Sequence, residues 1–231
     1  MKVSRAILLL LAIWGAIYLS WLGSQELRGE EARRIVPAQE MLRTGDWIVP
    51  RIAGEVYSNK PPLINWLIAA SFHLTGSTTE FTARLPSVIC LLLLAVVMLV
   101  GLRKQLGVER ALIVALVFLT PLAMIDKGRL AEIEALYVAL FGIAAITWIC
   151  WWSDQRSPWL YWTVPYLFIG LGLLAKGPPH LLFWVILVTS ILLFAKRLKD
   201  ILHPAHLIGL FLMTSLFLPW VLANIAAVGE A

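Results

Sequence analysis

Long apolar stretches alternate with short charged ones along this chain. Apolar runs cover residues 6–22, 83–102, 110–125, 132–152, 158–175, 179–195 and 204–224. A bilayer-spanning helix needs roughly 20 such residues. Every backbone group inside a bilayer must find its partner within its own segment, which selects helix. The pattern therefore predicts an all-α, polytopic helical membrane protein of about seven transmembrane helices. No soluble domain stands out in residues 1–231. The first run starts on Lys2 and Arg5, as a signal peptide does. It continues through Trp14 and Trp21 with no small-x-small site before Gly23, so it reads as an uncleaved first helix.

Between the first two runs lies the longest polar segment, residues 23–82. From Glu30 to Arg43, apolar Ile35, Ala38, Met41 and Leu42 recur at helical spacing, with Gly45 as a stop. This predicts a short amphipathic helix along the membrane surface. "GDWIVPRIAGEVYSNK" (45–60) combines Gly, Pro and alternating apolar residues, so it reads as extended or turn-like. "PPLINWLIAASFHLTG" (61–76) opens on prolines suited to a helix N-terminus and is too short to span. It predicts a second interfacial helix.

Composition agrees with this class. Hydrophobic residues make up 60% and charged residues 14%, with a mean hydropathy of +0.83, which excludes an ordinary soluble protein. The net charge of +5 follows from topology and calls for no nucleic acid. Lys and Arg concentrate in loops that stay in the cytoplasm. With the N-terminus inside, the inner segments hold Lys2, Arg5, Arg103, Lys104, Arg110, Arg156, Lys196, Arg197 and Lys199, against Glu109, Asp154 and Asp200. The outer segments, with Glu230 counted among them, are close to neutral. Trp148, Trp151, Trp152, Trp159 and Trp162 fall at one inner boundary, as an aromatic belt would. Cys90 and Cys150 lie within apolar runs and read as small apolar residues, not as a disulfide.

The outer segment 23–84 holds seven acids and seven bases. Solvation alone does not require that balance, and a site handling anions through fixed cations is one reading of it. In "RGEEARR" (28–34), Glu30 and Glu31 suit the first turn of a helix and its dipole. They equally suit a general base, with the arginines holding a phosphate. In "YSNKPPL" (57–63), Lys60 reads either as a snorkelling lysine or as a cation aimed at a lipid-linked phosphate. "DKGRLAEIEALY" (126–137) brings Lys127, Arg129, Glu132 and Glu134 to the same side, where membrane-edge charges are functional candidates. "LLAKGPPHLL" (173–182) adds a lone Lys176, with His180 read as packing. No His, Cys, Asp and Glu set has metal spacing, and no glycine-rich nucleotide loop is seen.

"EEARRIVPAQEMLRTGDWIVPRIAGEVYSNKPPLINWL" (30–67) resembles the first extracytoplasmic loop of polyprenyl-phosphate-sugar glycosyltransferases. These are the protein O-mannosyltransferase and aminoarabinose transferase group of the GT-C superfamily. Weaker echoes follow in "TARLPSV" (82–88), "GRLAEIEAL" (128–136) and "LLAKGP" (173–178). The resemblance implies a membrane glycosyltransferase that moves a sugar from a polyprenyl-phosphate donor to a lipid, protein or glycan acceptor. It implies the cytoplasmic (inner) membrane, with the active site on the extracytoplasmic face among membrane lipids. Glu30 takes the place of the catalytic base, where the family usually has Asp, with Glu31 as a substitute. Arg33 falls on the motif arginine, and Arg34 on a position where the family often has Tyr. Lys60 and Lys176 take the places of phosphate-side lysines, Glu134 that of a second acid, and Arg129 joins the substrate-binding set. Asn59 replaces a Glu that helps to bind a divalent cation in some relatives, so a divalent cation stays open as a cofactor while no metal-ligating residue is assigned. The resemblance covers the N-terminal half of such an enzyme, and the expectation is a fragment inactive by itself. A transporter or flippase would want charges near mid-membrane and broken helices in a repeated pattern, whereas these span interiors are almost uncharged. A non-catalytic truncated scaffold is the remaining alternative.

Overall fold

The computed structural model describes residues 1–229; Glu230, counted above among the outer charges, and Ala231 lie outside it. The order of elements is α1 (Val3–Trp14), continued by a π turn at Gly15–Leu19, α2 (Ala32–Thr44), β1 (Arg51–Ile52), β2 (Glu55–Val56) and α3 (Leu63–Thr75). Then follow α4 (Glu80–Leu106), α5 (Val108–Leu119), α6 (Leu122–Gly128), α7 (Ile133–Ser153), α8 (Pro158–Lys176), α9 (Pro179–Phe194), a 3-10 turn at Leu198–Leu202 and α10 (Pro204–Gly229).

All seven apolar runs fold as helix. Four of them, α4, α7, α8 and α10, are long and apolar enough to cross a bilayer. α5 and α6 meet at a 66° bend and together reach the same measure. By helix length the crossings therefore number four, or five with the bent pair, against the seven expected. The shortfall lies in Val3–Leu19 and in α9, which has 16 residues. At 1.5 Å per residue, α9 falls short of a roughly 30 Å core.

Local chemistry sets the boundaries. Glu80 opens α4 and Arg103 and Lys104 close it, matching the helix dipole. Pro158 and Pro179 occupy first helical positions, where a missing N–H costs nothing. Gly45 ends α2 at φ +76°, a left-handed conformation that glycine adopts without strain. Between α2 and α3, β1 and β2 form a two-stranded antiparallel hairpin pairing Arg51 with Val56 and Ile52 with Glu55.

Two of the apolar clusters form the flanks of the bundle. On one side α1 lays Ala6, Leu10, Trp14 and Tyr18 against Val88, Leu91 and Ala95 of α4 and Ala111, Leu112 and Ala115 of α5. Trp14 Nε1 donates to the Val88 carbonyl at 3.0 Å, and Tyr18 Oη to that of Leu119 at 2.8 Å. On the other side Trp148, Trp162 and Trp184 pack together between α7, α8 and α9, with Ala205 and Met213 of α10. Here the expected aromatic belt is corrected. Trp148 and Trp162 are fully buried, and Trp159 alone of the five is largely exposed. Their ring area is spent on helix packing, not on the interface. Cys90 and Cys150 are free thiols.

The α8–α10 contact depends on the absence of a side chain at Gly209. A Cβ there would lie 2.0 Å from the Trp162 carbonyl oxygen, a backbone atom that cannot rotate away. Such small residues let membrane helices approach closely. Gly209→Ala is expected to lower stability by about 1–3 kcal/mol through overpacking, measured by unfolding in mixed micelles. Phe211→Ala, on the exposed side of the same helix, serves as the control and should change little.

Candidate functional site

The segment before α2 crosses beneath the loop before α7 and is clasped to it. Glu31 is completely buried. Its Oε1 accepts from Arg84 Nε at 2.8 Å and the Ala131 N–H at 2.9 Å; its Oε2 accepts from Arg84 Nη2 at 2.8 Å and the Arg28 N–H at 3.0 Å. Arg84, equally buried, sends its remaining donors to the carbonyls of Leu22, Gln25 and Glu26. One guanidinium thus ties the end of α1, the start of α2 and α4 together in a bidentate, charge-assisted pair. Burial alone would raise the Glu31 carboxyl pKa. The hydrogen bonds from Arg84, Ala131 and Arg28 and the charge of Arg84 outweigh it and hold the group below the usual glutamate value.

A second acid completes the clasp. Glu132, nearly buried at the start of α7, accepts the Glu30 N–H at 3.0 Å and faces Lys127 Nζ at 3.4 Å. Gly29 has φ +60°, and a Cβ on it would stand 2.6 Å from Glu132 Oε1. Glycine is required there both for its conformation and for room.

With its backbone fixed in this way, Glu30 turns its carboxylate outward, about half exposed. Arg33 Nη1 donates to both of its oxygens at 2.8 and 3.1 Å. Arg34 Nη2 lies 3.7 Å away. The two arginines differ in a way that the sequence did not reveal. Arg33 is exposed, while the Arg34 side chain is 7% exposed, with its Nε unpartnered. Its Cζ lies 6.0 Å from the Tyr57 ring centre, and its carbonyl accepts from Asn65 Nδ2 at 2.8 Å. A buried guanidinium beside a carboxylate is held in place more firmly than an exposed one, and its planar donors suit an anion. The signal available in the sequence was the Arg at a position usually held by Tyr.

The remaining expected residues surround one buried apolar cluster. Ile35 of α2, Leu63 and Ile64 of α3, Ile133 of α7 and Leu174 and Ala175 of α8 pack together. Arg34 directly precedes Ile35, Glu134 directly follows Ile133 and Lys176 directly follows Ala175; Lys60 stands just ahead of the two prolines that lead into Leu63. Packing therefore brings these charges to one end of the bundle. Lys176 Nζ contacts Glu134 Oε1 at 3.1 Å and lies 5.3 Å from the centre of the Tyr137 ring. That ring is supported edge-on by His180 at 3.7 Å, which occupies the space left by Gly172. Lys60, half-buried, has no ion-pair partner among the described residues, and Asn59 is exposed beside it.

Two expectations change. Glu31 is not carried forward as a substitute base, because its two oxygens already accept four hydrogen bonds. Arg129 does not join the cluster with Lys60 and Lys176. Its guanidinium donates to the Ser20 carbonyl at the end of α1. Among the described residues no three His, Cys, Asp or Glu side chains gather as a metal site. Asn59 offers no carboxylate at its own position, so no cation ligand is assigned there.

Comparison with known proteins adds the following. Residues 59–222 match the family described as dolichyl-phosphate-mannose-protein mannosyltransferase. The chain is similar to the undecaprenyl phosphate-alpha-4-amino-4-deoxy-L-arabinose arabinosyl transferase of Erwinia tasmaniensis, with 30% identity over 230 residues, covering 96% of this chain and 41% of that protein. Its counterpart in Pectobacterium carotovorum is 31% identical over 228 residues, covering 95% and 39%. Among solved structures, ArnT from Cupriavidus metallidurans bound to undecaprenyl phosphate superposes with a TM-score of 0.87 at 19% identity, over 97% of this chain and 42% of that one. That likeness shows a shared polytopic helical fold. The chain spans about two fifths of the length of the curated relatives it matches.

Breaking the buried pair by Arg84→Ala leaves Glu31 charged and unpaired. It should cost about 3–5 kcal/mol in unfolding assays. Because the Glu31 carboxyl is held below its ordinary value of about 4.3, the pair contributes fully above that pH. The contribution is lost as pH falls through the lower folded value. An acid titration of stability, run beside the variant, reads this out.

Proposed function

Since this chain belongs to the dolichyl-phosphate-mannose-protein mannosyltransferase family, we propose that it serves as a glycosyltransferase, moving a sugar from a polyprenyl-phosphate donor to an acceptor. The observation that carries this reading is the outward Glu30 carboxylate 3.7 Å from the buried Arg34, with Lys176 and its partner Glu134 next in the chain to Ala175 and Ile133, which pack in the same apolar cluster as Ile35. The proposed place is the extracytoplasmic face of the cytoplasmic membrane. The charge distribution supports it. The basic residues at the ends of α4 and α9 gather at the opposite end of the bundle, where Lys104 meets Asp154 and Arg197 meets Asp200.

The chemistry follows from the residue types. Glu30 takes the proton from the acceptor group, and the freed electron pair attacks the anomeric carbon. The bond from that carbon to the phosphate oxygen breaks, and its electrons leave on the polyprenyl phosphate. Negative charge grows on that phosphate as the bond lengthens, so fixed cations aimed at it lower the barrier. Arg34, whose guanidinium stands 3.7 Å from Glu30, and Lys60, with no ion-pair partner among the described residues, fill this role. Lys176 joins them by exchanging Glu134 for phosphate, steadied by the Tyr137 ring. Arg33 orients Glu30. Glu31 and Glu132 act as positioning residues, holding the backbone that presents the base. The relatives' names specify an undecaprenyl phosphate-linked donor, and the same carrier class is proposed here. The alternative of a transporter finds no support in the span interiors, where charge is absent from the middle of α4, α7, α8 and α10.

Glu30→Gln should reduce transfer by about 10²- to 10⁴-fold, the usual worth of a general base, while donor binding persists. Lys60→Ala combined with Lys176→Ala should instead weaken donor binding. The chain should hold undecaprenyl phosphate in preference to undecaprenol. Equal binding of the two lipids defeats the phosphate assignment, and undiminished transfer by the Glu30 variant defeats the base.

A further inference from the structure

A second concave site lies outside the set just described. A cavity of about 350 Å³ opens where the end of α1 meets α6, and its lining includes none of Glu30, Arg33, Arg34, Lys60, Glu134 or Lys176. Three arginines reach it, Arg28, Arg84 and Arg129, against one acid, Asp126. Arg84 is fully engaged in the Glu31 clasp and contributes field only. Arg129 makes one hydrogen bond, to the Ser20 carbonyl, which leaves most of its five donors open. Arg28 reaches Asp126 at 2.6 Å, but both side chains are about half exposed, so this pair is readily exchanged for a better anion.

The rim of the cavity is apolar and exposed. Trp21 is 84% exposed and Leu122 86% exposed, and both line the opening. Trp21 also has φ +53°, a left-handed conformation that bulky residues avoid. Its turn is fastened by Ser24 Oγ, which donates to the Trp21 carbonyl at 2.9 Å. The backbone is thus held in a costly shape that leaves an indole projecting beside a leucine at the end of two apolar segments. Indoles at that level sit among lipid headgroups, and guanidinium groups pair with phosphate through parallel N–H donors.

We propose that this cavity binds the phosphate headgroup of an anionic glycerophospholipid of the surrounding bilayer. Arg28 and Arg129 hold the phosphodiester, and Trp21 and Leu122 lie against the glycerol and upper acyl chains. The bound lipid bridges α1 and α6 next to the Glu31–Arg84 pair. Asp126 competes with the phosphate for Arg28, which sets the affinity. A free phosphate would use the arginines alone and leave Trp21 and Leu122 without a function, which favours the lipid.

The test is native mass spectrometry of the whole chain released from micelles holding phosphatidylglycerol or phosphatidylcholine. Phosphatidylglycerol should be retained preferentially. Each of Arg28→Ala and Arg129→Ala should lower its retention about fivefold, the worth of one basic residue facing an anionic lipid surface. Trp21→Ala should lower it as well, whereas Lys199→Ala at the opposite end should not. Asp126→Asn should raise retention by freeing Arg28, a gain that a misfolded variant cannot imitate. Unchanged retention in Asp126→Asn together with both arginine variants overturns the proposal. So does displacement of the lipid by millimolar inorganic phosphate, which would assign the cavity to a free anion.

Discussion

A glutamate and an arginine with almost no exposed surface hold together the end of the bundle where α1, α2, α4 and the loop before α7 meet. Two charges withdrawn from water are costly unless every lone pair and proton is used. Glu31 and Arg84 meet that condition with two bonds to each other, two backbone N–H groups on the carboxylate and three carbonyls on the guanidinium. The partners come from the end of α1, the turn before α2, the first turns of α4 and the loop before α7. Any shift of one element would strand a buried charge, so the pair specifies where the others stand. Glu30 inherits its position from this arrangement, because the residue beside it is immobilised on one side and its own N–H is taken by Glu132 on the other.

The apolar clusters serve the same end by a different route. Ile35, Leu63, Ile64, Ile133, Leu174 and Ala175 converge from four helices, and charged residues sit beside them in the chain. Close packing of the apolar members holds the helices together. Their polar neighbours are then carried to a common rim without needing attraction among themselves. Lys60 without an ion-pair partner among the described residues and Arg34 with an unpartnered Nε are tolerated for that reason: nonpolar contact supplies the stability.

Much of this was readable beforehand. The apolar runs and their helical fold, the two short helices of the first polar segment and the stop at Gly45 follow from periodicity and turn chemistry. The motif from Glu30 to Leu67 drew attention to Glu30 and Lys60, whose roles belong to the proposal. What escaped is a matter of which way side chains face. Neighbouring acids at 30 and 31 look alike in a sequence, yet Glu31 is saturated and Glu30 is open. Arg33 and Arg34 likewise exchange weight once one is found buried. The missing partner was Arg84, 53 residues away from Glu31, inside a run that reads as the start of a span. The tryptophans were assigned to an interface because their clustering shows no direction, and packing placed Trp148 and Trp162 inside. Arg129 was grouped with the site by its neighbours in the chain, whereas its side chain runs to Ser20.

The clasp also sets an order of events during synthesis. Glu31 leaves the ribosome before its ion partner and well before its amide donor, Ala131, which lies 100 residues further along the chain. Until α4 has been threaded, the first polar segment has no counter-ion to settle upon, and until the loop before α7 follows, its carboxylate is one bond short. Contacts so distant in sequence form late. The segment carrying Glu30 therefore gains its ion partner only with α4 and its last carboxylate bond only after α5 and α6, so this end of the protein is finished from the far side of the chain backwards.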